Sequence, residues 1–286
     1  MAIVTVGMPV YNGEDYLRTA LDSVFAQTLE DFHLIVRDNA STDGTLDILH
    51  EYRDPRLTVL RAEENGGAAR NYNAVFEAAD TRYFNWLAHD DLLEPDYLEL
   101  CVAELERSPD LVGAYGRAIL IDEDGAVTER YEEGHDLGID GRFGRAASFL
   151  RWVRLCSPAF SVFRTSALAQ TRLIEPYAAS DMTLLYRLVA LGPMASLDTT
   201  HLHRRVHPGM SLKANQTSQS VAAWFSSSTS GHGFPRTKLV GRLMRASLES
   251  PIPIPGRLGM AALVPAIWVP RQVRSVVRQR RAAGTS

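Results

Sequence analysis

Tyr83-Phe84-Asn85-Trp86-Leu87-Ala88-His89-Asp90-Asp91-Leu92-Leu93-Glu94-Pro95 is the stretch from which the fold is read. It begins as an aromatic and apolar run with strand composition and stops at two adjacent carboxylates, Asp90 and Asp91. Pro95 then opens a helical pattern, which puts the acidic pair in the turn between a strand and a helix. In an open α/β sheet, the turns at the carboxyl ends of the strands line the ligand crevice. Carboxylates in such a turn are candidates to hold a divalent cation and, through it, phosphate oxygens.

Upstream, the same strand, turn and helix sequence recurs. Ile3 to Met8 is a nearly continuous, β-branched apolar run, as expected of a strand buried on both faces of a parallel sheet. It ends at Pro9-Val10-Tyr11-Asn12-Gly13. Asn12 is expected to cap a helix that carries Glu14 and Asp15 in its first turn and packs Leu17, Leu21, Val24 and Phe25 on the sheet. His33 to Arg37 gives a second strand, Asp38 to Thr45 a turn-rich segment, and Leu46 to Tyr52 a helix. Leu57 to Leu60 is a third strand, followed by the glycine-containing loop Glu63 to Gly67 and a helix over Ala68 to Ala79. Arg70 lies in the first turn of that helix, where a cation opposes the helix dipole; its placement points to a ligand or partner rather than to helix stability. Strands alternating with helices predict βαβ units with right-handed crossovers and a mostly parallel sheet.

Downstream the pattern loosens. Tyr97, Leu98, Leu100, Cys101 and Leu105 mark an amphipathic helix. Val112 to Tyr115 and Ala118 to Ile121 read as two strands, with a hairpin turn at Asp122 to Gly125 leading to Val127. Residues 130–142 read as a surface loop, Ala146 to Leu155 as a helix and Ser157 to Phe163 as extended. Ser180, a good N-cap, opens a helix through Leu191, which Gly192-Pro193 ends. His201 to His207 reads as a strand. Residues 213–235 are Ser/Gln/Gly-rich and read as a linker or loose helix. After them come a basic amphipathic helix over Arg236 to Glu249, a Pro-rich break at 251–255 and a basic end over Arg271 to Arg281.

Composition narrows the function classes. The chain of 286 residues is 45% hydrophobic and 22% charged, an ordinary globular balance. Its net charge of −4 is uneven: residues 213–286 hold eleven Lys/Arg and one acid, Glu249, so about +10 sits there and about −14 on residues 1–212. Two cysteines, Cys101 and Cys156, make no disulfide framework and lack metal-site spacing, which fits a reducing compartment. The N-terminus enters a strand directly, so export is not expected and a cytoplasmic location is. The longest apolar run, Leu258 to Val269, falls short of the roughly 20 residues a spanning helix needs and contains Pro265. A solvated face is the ordinary reading of the basic tail. Leu239, Val240, Leu243 and Met244 beside Arg236, Lys238, Arg242 and Arg245 also fit peripheral contact with anionic lipid at the inner membrane face. Nucleic acid is not an expected partner, because no recognition motif accompanies the charge.

Four motifs stand in one order: Pro9-Val10-Tyr11-Asn12; Asp38-Asn39-Ala40-Ser41-Thr42-Asp43-Gly44-Thr45; Asn65-Gly66-Gly67 with Ala69-Arg70-Asn71; and Leu87-Ala88-His89-Asp90-Asp91. Over residues 3 to 212 the chain resembles the family 2 glycosyltransferases of GT-A fold. The resemblance implies an α/β architecture with an open, mostly parallel sheet and helices on both faces. Residues 1–212 would form the catalytic domain, about 1–110 its nucleotide-sugar half and about 111–212 its acceptor half. Residues 213–286 would be a mainly helical, basic extension. It also implies transfer of a sugar from a nucleoside-diphosphate donor, with a divalent cation, Mg²⁺ or Mn²⁺, and inversion at the anomeric carbon. The family's acid-x-acid metal motif has Ala88 at its first position here and Asp90 at its last.

The resemblance assigns roles residue by residue. Asp90 holds the cation and the donor diphosphate, with Asp91 behind it. Asp38 and Asn39 contact base or ribose, Asp38 accepting from a pyrimidine N3, which favours a UDP-type donor. Arg70 lies near the base or diphosphate, and Pro9, Val10 and Tyr11 edge the pocket. Asp181 is the general base that takes the proton of an acceptor hydroxyl, the acceptor being a glycan, a lipid-linked molecule or a small molecule. Its place at a helix N-terminus favours the ionised form such a base needs. His207 reaches the metal or diphosphate. Trp86 is expected in the core, and Trp152 on the acceptor side, able to stack on a sugar. Turn and cap chemistry alone also accounts for Asp38, Asp90, Asp91 and Asp181. A competing class is therefore a non-catalytic nucleotide-sugar-binding partner or scaffold, which the missing acid at position 88 supports. A nucleotidyltransferase would carry a glycine- and arginine-rich loop after the first strand, and Pro9 to Gly13 is not one.

Overall fold

The computed structural model describes residues 2–131, 136–210, 224 and 236–271. Its first half alternates as the periodicities require: β1 (Val4–Val10), α1 (Leu17–Phe25), β2 (Phe32–Asp38), α2 (Thr45–Glu51), β3 (Leu57–Arg61), α3 (Ala68–Glu77) and β4 (Tyr83–Trp86). A two-residue strand, β5 (Leu92–Leu93), follows the acidic turn and precedes α4 (Tyr97–Arg107). The second half holds β6 (Gly113–Ile121), β7 (Val127–Tyr131), α5 (Arg142–Trp152), β8 (Val162–Arg164), the short α6 (Thr165–Leu168), α7 (Ser180–Leu191) and β9 (Met194–Arg205). Two helices close the described chain, α8 (Arg236–Glu249) and α9 (Ile254–Leu263), the latter running into a π-helical turn at Val264–Trp268.

The described strands form one sheet in the order β3-β2-β1-β4-β8-β6-β9-β5, with β7 paired to β6. β3, β2, β1 and β4 are parallel neighbours, and β6 is parallel to β9; β8 runs antiparallel between the two groups. The carboxyl ends of β1, β2 and β4 therefore converge on one edge, where Tyr11, Asn39 and the acidic turn emerge.

Alternation along the strands feeds two cores. Val4, Val6, Met8, Val10, Leu34 and Val36 pack with α1 and α4 on one face, while Ile35, Phe84 and Trp86 pack with α3, α5 and α7 on the other. Both cysteines are buried, and no disulfide joins them. Trp86 is in the core as expected, its ring edge-to-face with Phe84 at 4.9 Å. Trp152 is half exposed.

Several expectations change in three dimensions. Asn12 does not cap α1: it takes a left-handed φ of 49°, and the helix starts later, at Leu17. The two strands expected over 112–121 are one, because β6 pairs with β9 along its whole length through a register shift after Gly116. Ser157–Phe160 is a 3-10 turn rather than extended. Ser180 is the first residue of α7, not its cap; Ala179 stands at the cap with φ 62°. The linker expected over 213–235 lies outside the described residues apart from Trp224, as does the basic end beyond Arg271. Residues 132–135 of the expected surface loop lie outside them too, and its start is β7.

The apolar face of α8 is also used. Leu239 and Leu243 are buried in the same core as α5 and α7, with Val240 and Met244 packed against it, so the face expected to meet lipid instead meets protein. Among the described residues no helix is long and apolar enough to cross a membrane.

Candidate active site

A cavity of about 820 Å³ opens at the carboxyl edge of the sheet. Its near wall is the segment after β1. Pro9, Tyr11, Asn12 and Gly13 line it, and Tyr11 is 43% exposed at its mouth. This segment is held from below by the polar loop after β2. The N–H groups of Asn12, Gly13 and Glu14 donate to Ser41 Oγ, Thr45 Oγ1 and Asp43 Oδ2 at 2.9, 2.8 and 3.0 Å. In return, Thr42 N–H donates to Asn12 Oδ1 at 2.9 Å, which is why Asn12 faces across the loop instead of capping a helix. The Asp-Asn-Ala-Ser-Thr-Asp-Gly-Thr run is thus mainly a brace for the cavity wall. Gly13 leaves no room for a side chain unless its neighbours shift: a Cβ there would lie 2.6 Å from His89 Cδ2 and 2.7 Å from Val10 Cγ2.

Asn39 lines the cavity and is buried, tied to the glycine loop by Nδ2 donating to Asn65 Oδ1 at 2.9 Å and Oδ1 accepting from Gly66 N–H at 3.1 Å. Gly67 opens α3 at φ 81°, a left-handed turn that a side chain would strain. Asn71, for which the sequence suggested no role, is buried in the cavity wall. It donates to Val10 O at 3.1 Å and accepts from Arg37 at 2.7 Å, fastening α3 to the ends of β1 and β2. Two expected donor contacts do not line this cavity. The Asp38 carboxylate is fully buried, accepting from Ser41 N–H at 3.1 Å with the Arg61 guanidinium 3.9 Å away. Arg70 is exposed, its aliphatic stem against Gly66.

The acidic turn forms the far wall. Ala88, His89, Asp90 and Asp91 all line the cavity. His207, 117 residues from Asp90 in sequence, puts Nε2 at 3.0 Å from Asp90 Oδ2. Burial works against charge on Asp90, but the hydrogen bond from His207 and the neighbouring charges of His89 and His207 outweigh it and hold its carboxyl below the usual range. Asp91 shifts the other way. Burial and the adjacent Asp90 charge push it up, against the opposing pull of Arg204 and of the Arg205 N–H that donates to Asp91 Oδ1 at 2.9 Å.

Arg205 is the residue that organises this wall, and only the fold brings it there. Buried at the end of β9, it donates from Nε to Asp90 O at 3.0 Å, and from one terminal nitrogen to Asp122 O and Glu123 O at 3.0 and 2.8 Å. Its guanidinium lies 4.7 Å from the Tyr16 ring centroid, and that ring meets His207 edge-on at 4.7 Å. One side chain therefore joins the acidic turn, the β6–β7 hairpin and α1's entry.

A second cavity of about 270 Å³ adjoins the first; Ala68, Tyr72, Phe160, Arg204 and Trp224 line both. Asp181 lines the second, at the N-terminus of α7, its Oδ1 accepting from Met182 N–H at 2.8 Å. Trp86 and Arg154 also line it, whereas Trp152 lines neither cavity. In the shared wall, Arg204 donates to Leu155 O at 2.8 Å, and its buried Nε, beyond hydrogen-bonding range of any described residue, pairs with Asp91 Oδ2 at 3.8 Å.

The metal assignment can be tested on this geometry. Among the described residues, no group of three or more His, Cys, Asp or Glu is arranged to hold an ion. The pair Asp90 and His207 is the fit that exists. Its 3.0 Å separation is the span of two adjacent ligands of an ion about 2.1 Å from each, and a hard cation commonly takes one or two protein ligands with phosphate and water completing the shell.

The family model for glycosyl transferase family 2 matches residues 5–172, which hold the segment after β1, the glycine loop and the acidic turn but stop short of Asp181, Arg204, Arg205 and His207. The chain belongs to that family. Among relatives, the chondroitin synthase of Pasteurella multocida (strain Pm70) is 32% identical over 127 residues, which are 44% of this chain and 13% of that protein. The chain thus spans well under two thirds of that relative's length. Among solved structures, Staphylococcus aureus TarS 1–349 in complex with UDP-GlcNAc is similar at a TM-score of 0.67 and 17% identity, covering 95% of this chain and 72% of that one. The mannosyltransferase PcManGT from Pyrobaculum calidifontis, in complex with GDP-Man and Mn²⁺, has a TM-score of 0.55 at 17% identity, with 98% and 75% covered. These likenesses establish the GT-A fold, in agreement with the mixed, mostly parallel sheet and the C-terminal helices.

Proposed function

We propose that this family member transfers a sugar from a nucleoside-diphosphate sugar to an acceptor hydroxyl, with inversion and with Asp181 as general base. The observation that carries the reading is the pair of adjoining cavities: the larger has Asp90 and His207 in its wall, the smaller has Asp181, and Arg204 lies between them. A nucleotide fits the larger cavity, bordered by Tyr11 and Asn39. UDP-type donors are favoured by the resemblance and by the TarS complex.

Asp90 and His207 would hold Mg²⁺ or Mn²⁺, which supplies countercharge to the leaving diphosphate. The chain's own groups do the rest. As the acceptor oxygen forms its bond to the anomeric carbon, its proton passes to the Asp181 carboxylate. The bond to the diphosphate breaks with its electron pair on the departing oxygen, and attack opposite that bond inverts the centre. Arg204, in the wall between the two cavities with its Nε 3.8 Å from Asp91 Oδ2, adds a fixed positive charge for the negative charge that develops. Asp91 and Arg205 keep the acidic turn in place.

Asp181→Asn should lower turnover by about a thousandfold or more, within the range general-base removal gives, while donor affinity stays within a factor of two. Wild-type turnover in that variant would remove Asp181 from the mechanism. The non-catalytic alternative rests on Ala88, which leaves the larger cavity one carboxylate short; in the proposed reading His207, 3.0 Å from Asp90, would stand in for it. Absence of donor hydrolysis by the wild-type protein with Mn²⁺, despite donor binding, would favour that alternative.

A further inference from the structure

The C-terminal helix α9 and its π turn are apolar on both sides. Inward, Gly256, Met260, Val264 and Trp268 are buried in the core with α5. Outward, Ile254 is 66%, Leu258 58% and Val269 42% exposed, with Ala262, Pro265 and Ala266 exposed between them along the same stripe. From Leu258 to Pro270 no side chain is charged. An ordinary surface helix carries its polar residues on this stripe, as α8 does with exposed Lys238 and Arg245. The apolar surface continues onto α5, where Phe143, 46% exposed, lies with its ring against Gly259.

The stripe is bordered by cations. Arg142 abuts Gly256, Arg257 follows it, and at the far end Arg271 donates to Leu150 O at 2.9 Å and to Val153 O, its guanidinium 4.8 Å from the Trp268 ring. After Glu249 the chain contains no acid and six arginines, 257, 271, 274, 278, 280 and 281, while residues 1–212 are strongly acidic. An apolar stripe bordered by arginines meets an anionic bilayer with both of its components satisfied: apolar side chains enter the acyl boundary and guanidinium groups meet headgroups. A second copy would bring this basic surface against its own like charge, and nucleic acid would leave the apolar stripe uncovered.

We propose that the outward face of α9, with Phe143 beside it, docks the protein on the surface of an anionic lipid bilayer. At about 1.5 Å per residue, Ile254–Trp268 is too short to span a bilayer, so it lies in the interface. The acidic body is repelled from the same surface, which orients the attachment. Arg271 holds the end of α5 beside Arg154 and Leu155, which line the smaller cavity. If the transfer reading above holds, on which this clause alone rests, the acceptor cavity then sits next to the lipid, and an acceptor carried on a lipid is the class presented to it.

The test is flotation of the full chain with phosphatidylcholine vesicles, with and without phosphatidylglycerol, and with no sugar donor present. Binding is expected only to the anionic vesicles and is expected to fall with added salt. Ile254→Glu with Leu258→Glu, and separately Val269→Glu at the other end of the stripe, should each weaken it at least about tenfold, the effect of withdrawing about one large apolar side chain from the interface. Both variants should keep the wild-type melting temperature and nucleotide-sugar affinity, because the substituted positions are exposed. Failure of the wild-type chain to float with anionic vesicles, or equal flotation of the variants, would overturn the proposal. So would light scattering showing a dimer that Leu258→Glu disperses, since a second copy would then cover the face. Donor affinity, read separately, reports on the transfer reading whatever the vesicles show.

Discussion

Arg205→Ala is the perturbation whose consequences the structure specifies most fully. The guanidinium makes three hydrogen bonds to backbone carbonyls, those of Asp90, Asp122 and Glu123, at 3.0, 3.0 and 2.8 Å, and covers the Tyr16 ring. Asp90 and Glu123 line a cavity that water can enter, so the loss is not that of three sealed acceptors. At about 1 kcal/mol net for each bond, the substitution costs about 3 kcal/mol. Removing the guanidinium charge beside Asp91 leaves that buried carboxyl still harder to ionise, which adds to the loss at neutral pH. At about 2–4 °C per kcal/mol for a chain of this size, the midpoint should fall by about 6–12 °C. Arg205→Lys keeps the charge but not the planar fork, and should recover about a third of the difference. Thermal melting and titration of a nucleoside-diphosphate sugar in Mn²⁺ would be measured on all three proteins. Donor affinity should weaken along with stability, because the same side chain fixes the acidic turn that borders the donor cavity. An alanine variant that melts within about 2 °C of wild type, a shift of under 1 kcal/mol, and binds donor equally well would refute the clamp.

Asp90→Ala and His207→Ala should each weaken donor binding about tenfold or more in Mn²⁺ and bring it to the level seen with chelator; a persisting chelator effect in both would dissociate the pair from the metal. Gly13→Ala forces His89 or Val10 to shift, and about 1–3 kcal/mol of stability should be lost with the cavity wall displaced, read by melting and by donor titration. Glu94, outside the cavities, meets His201 Nδ1 at 3.0 Å and His203 Nε2 at 3.2 Å. Burial opposes its charge, yet the two histidines hold its carboxyl below the ordinary range. Its contribution is therefore present above about pH 4.5 and lost as pH falls through the depressed value, so Glu94→Gln should be about 1 kcal/mol less stable at pH 7 and indistinguishable from wild type in acid.

How far the site could be read from the sequence depended on the distance over which each residue acts. The acidic turn, the glycine loop and the start of α7 are local: a strand composition ends, turn residues follow, and a helical period begins, all within about ten residues. Asp90 and Asp91 were found that way, whereas Asn39 and Asp181 were singled out by the family resemblance; all four lie in the walls of the two cavities. Asn12 misled because its local chemistry suits both a helix cap and a left-handed turn. The choice was made by Thr42, thirty residues away in sequence. Asn71 stands in one of the motifs, but neither it nor Arg205 shows locally what it bonds to, since an asparagine in a helix and an arginine in a basic strand have many uses, and theirs is set by which chain ends come together.

The sequence by itself determined the alternation of strands and helices, the sheet edge at which ligands gather, and the order of motifs that marks the family, because hydrophobic period and turn chemistry are properties of short segments. Only the tertiary structure paired His207 with Asp90 across 117 residues, buried Asp38 behind the loop it caps, and set Arg205 across three segments at once. It also reversed the standing of the two C-terminal helices. Both contain apolar residues at helical spacing, but periodicity states that an apolar face exists and not what covers it. Packing against α7 covers the face of α8, and the outward face of α9 is left exposed.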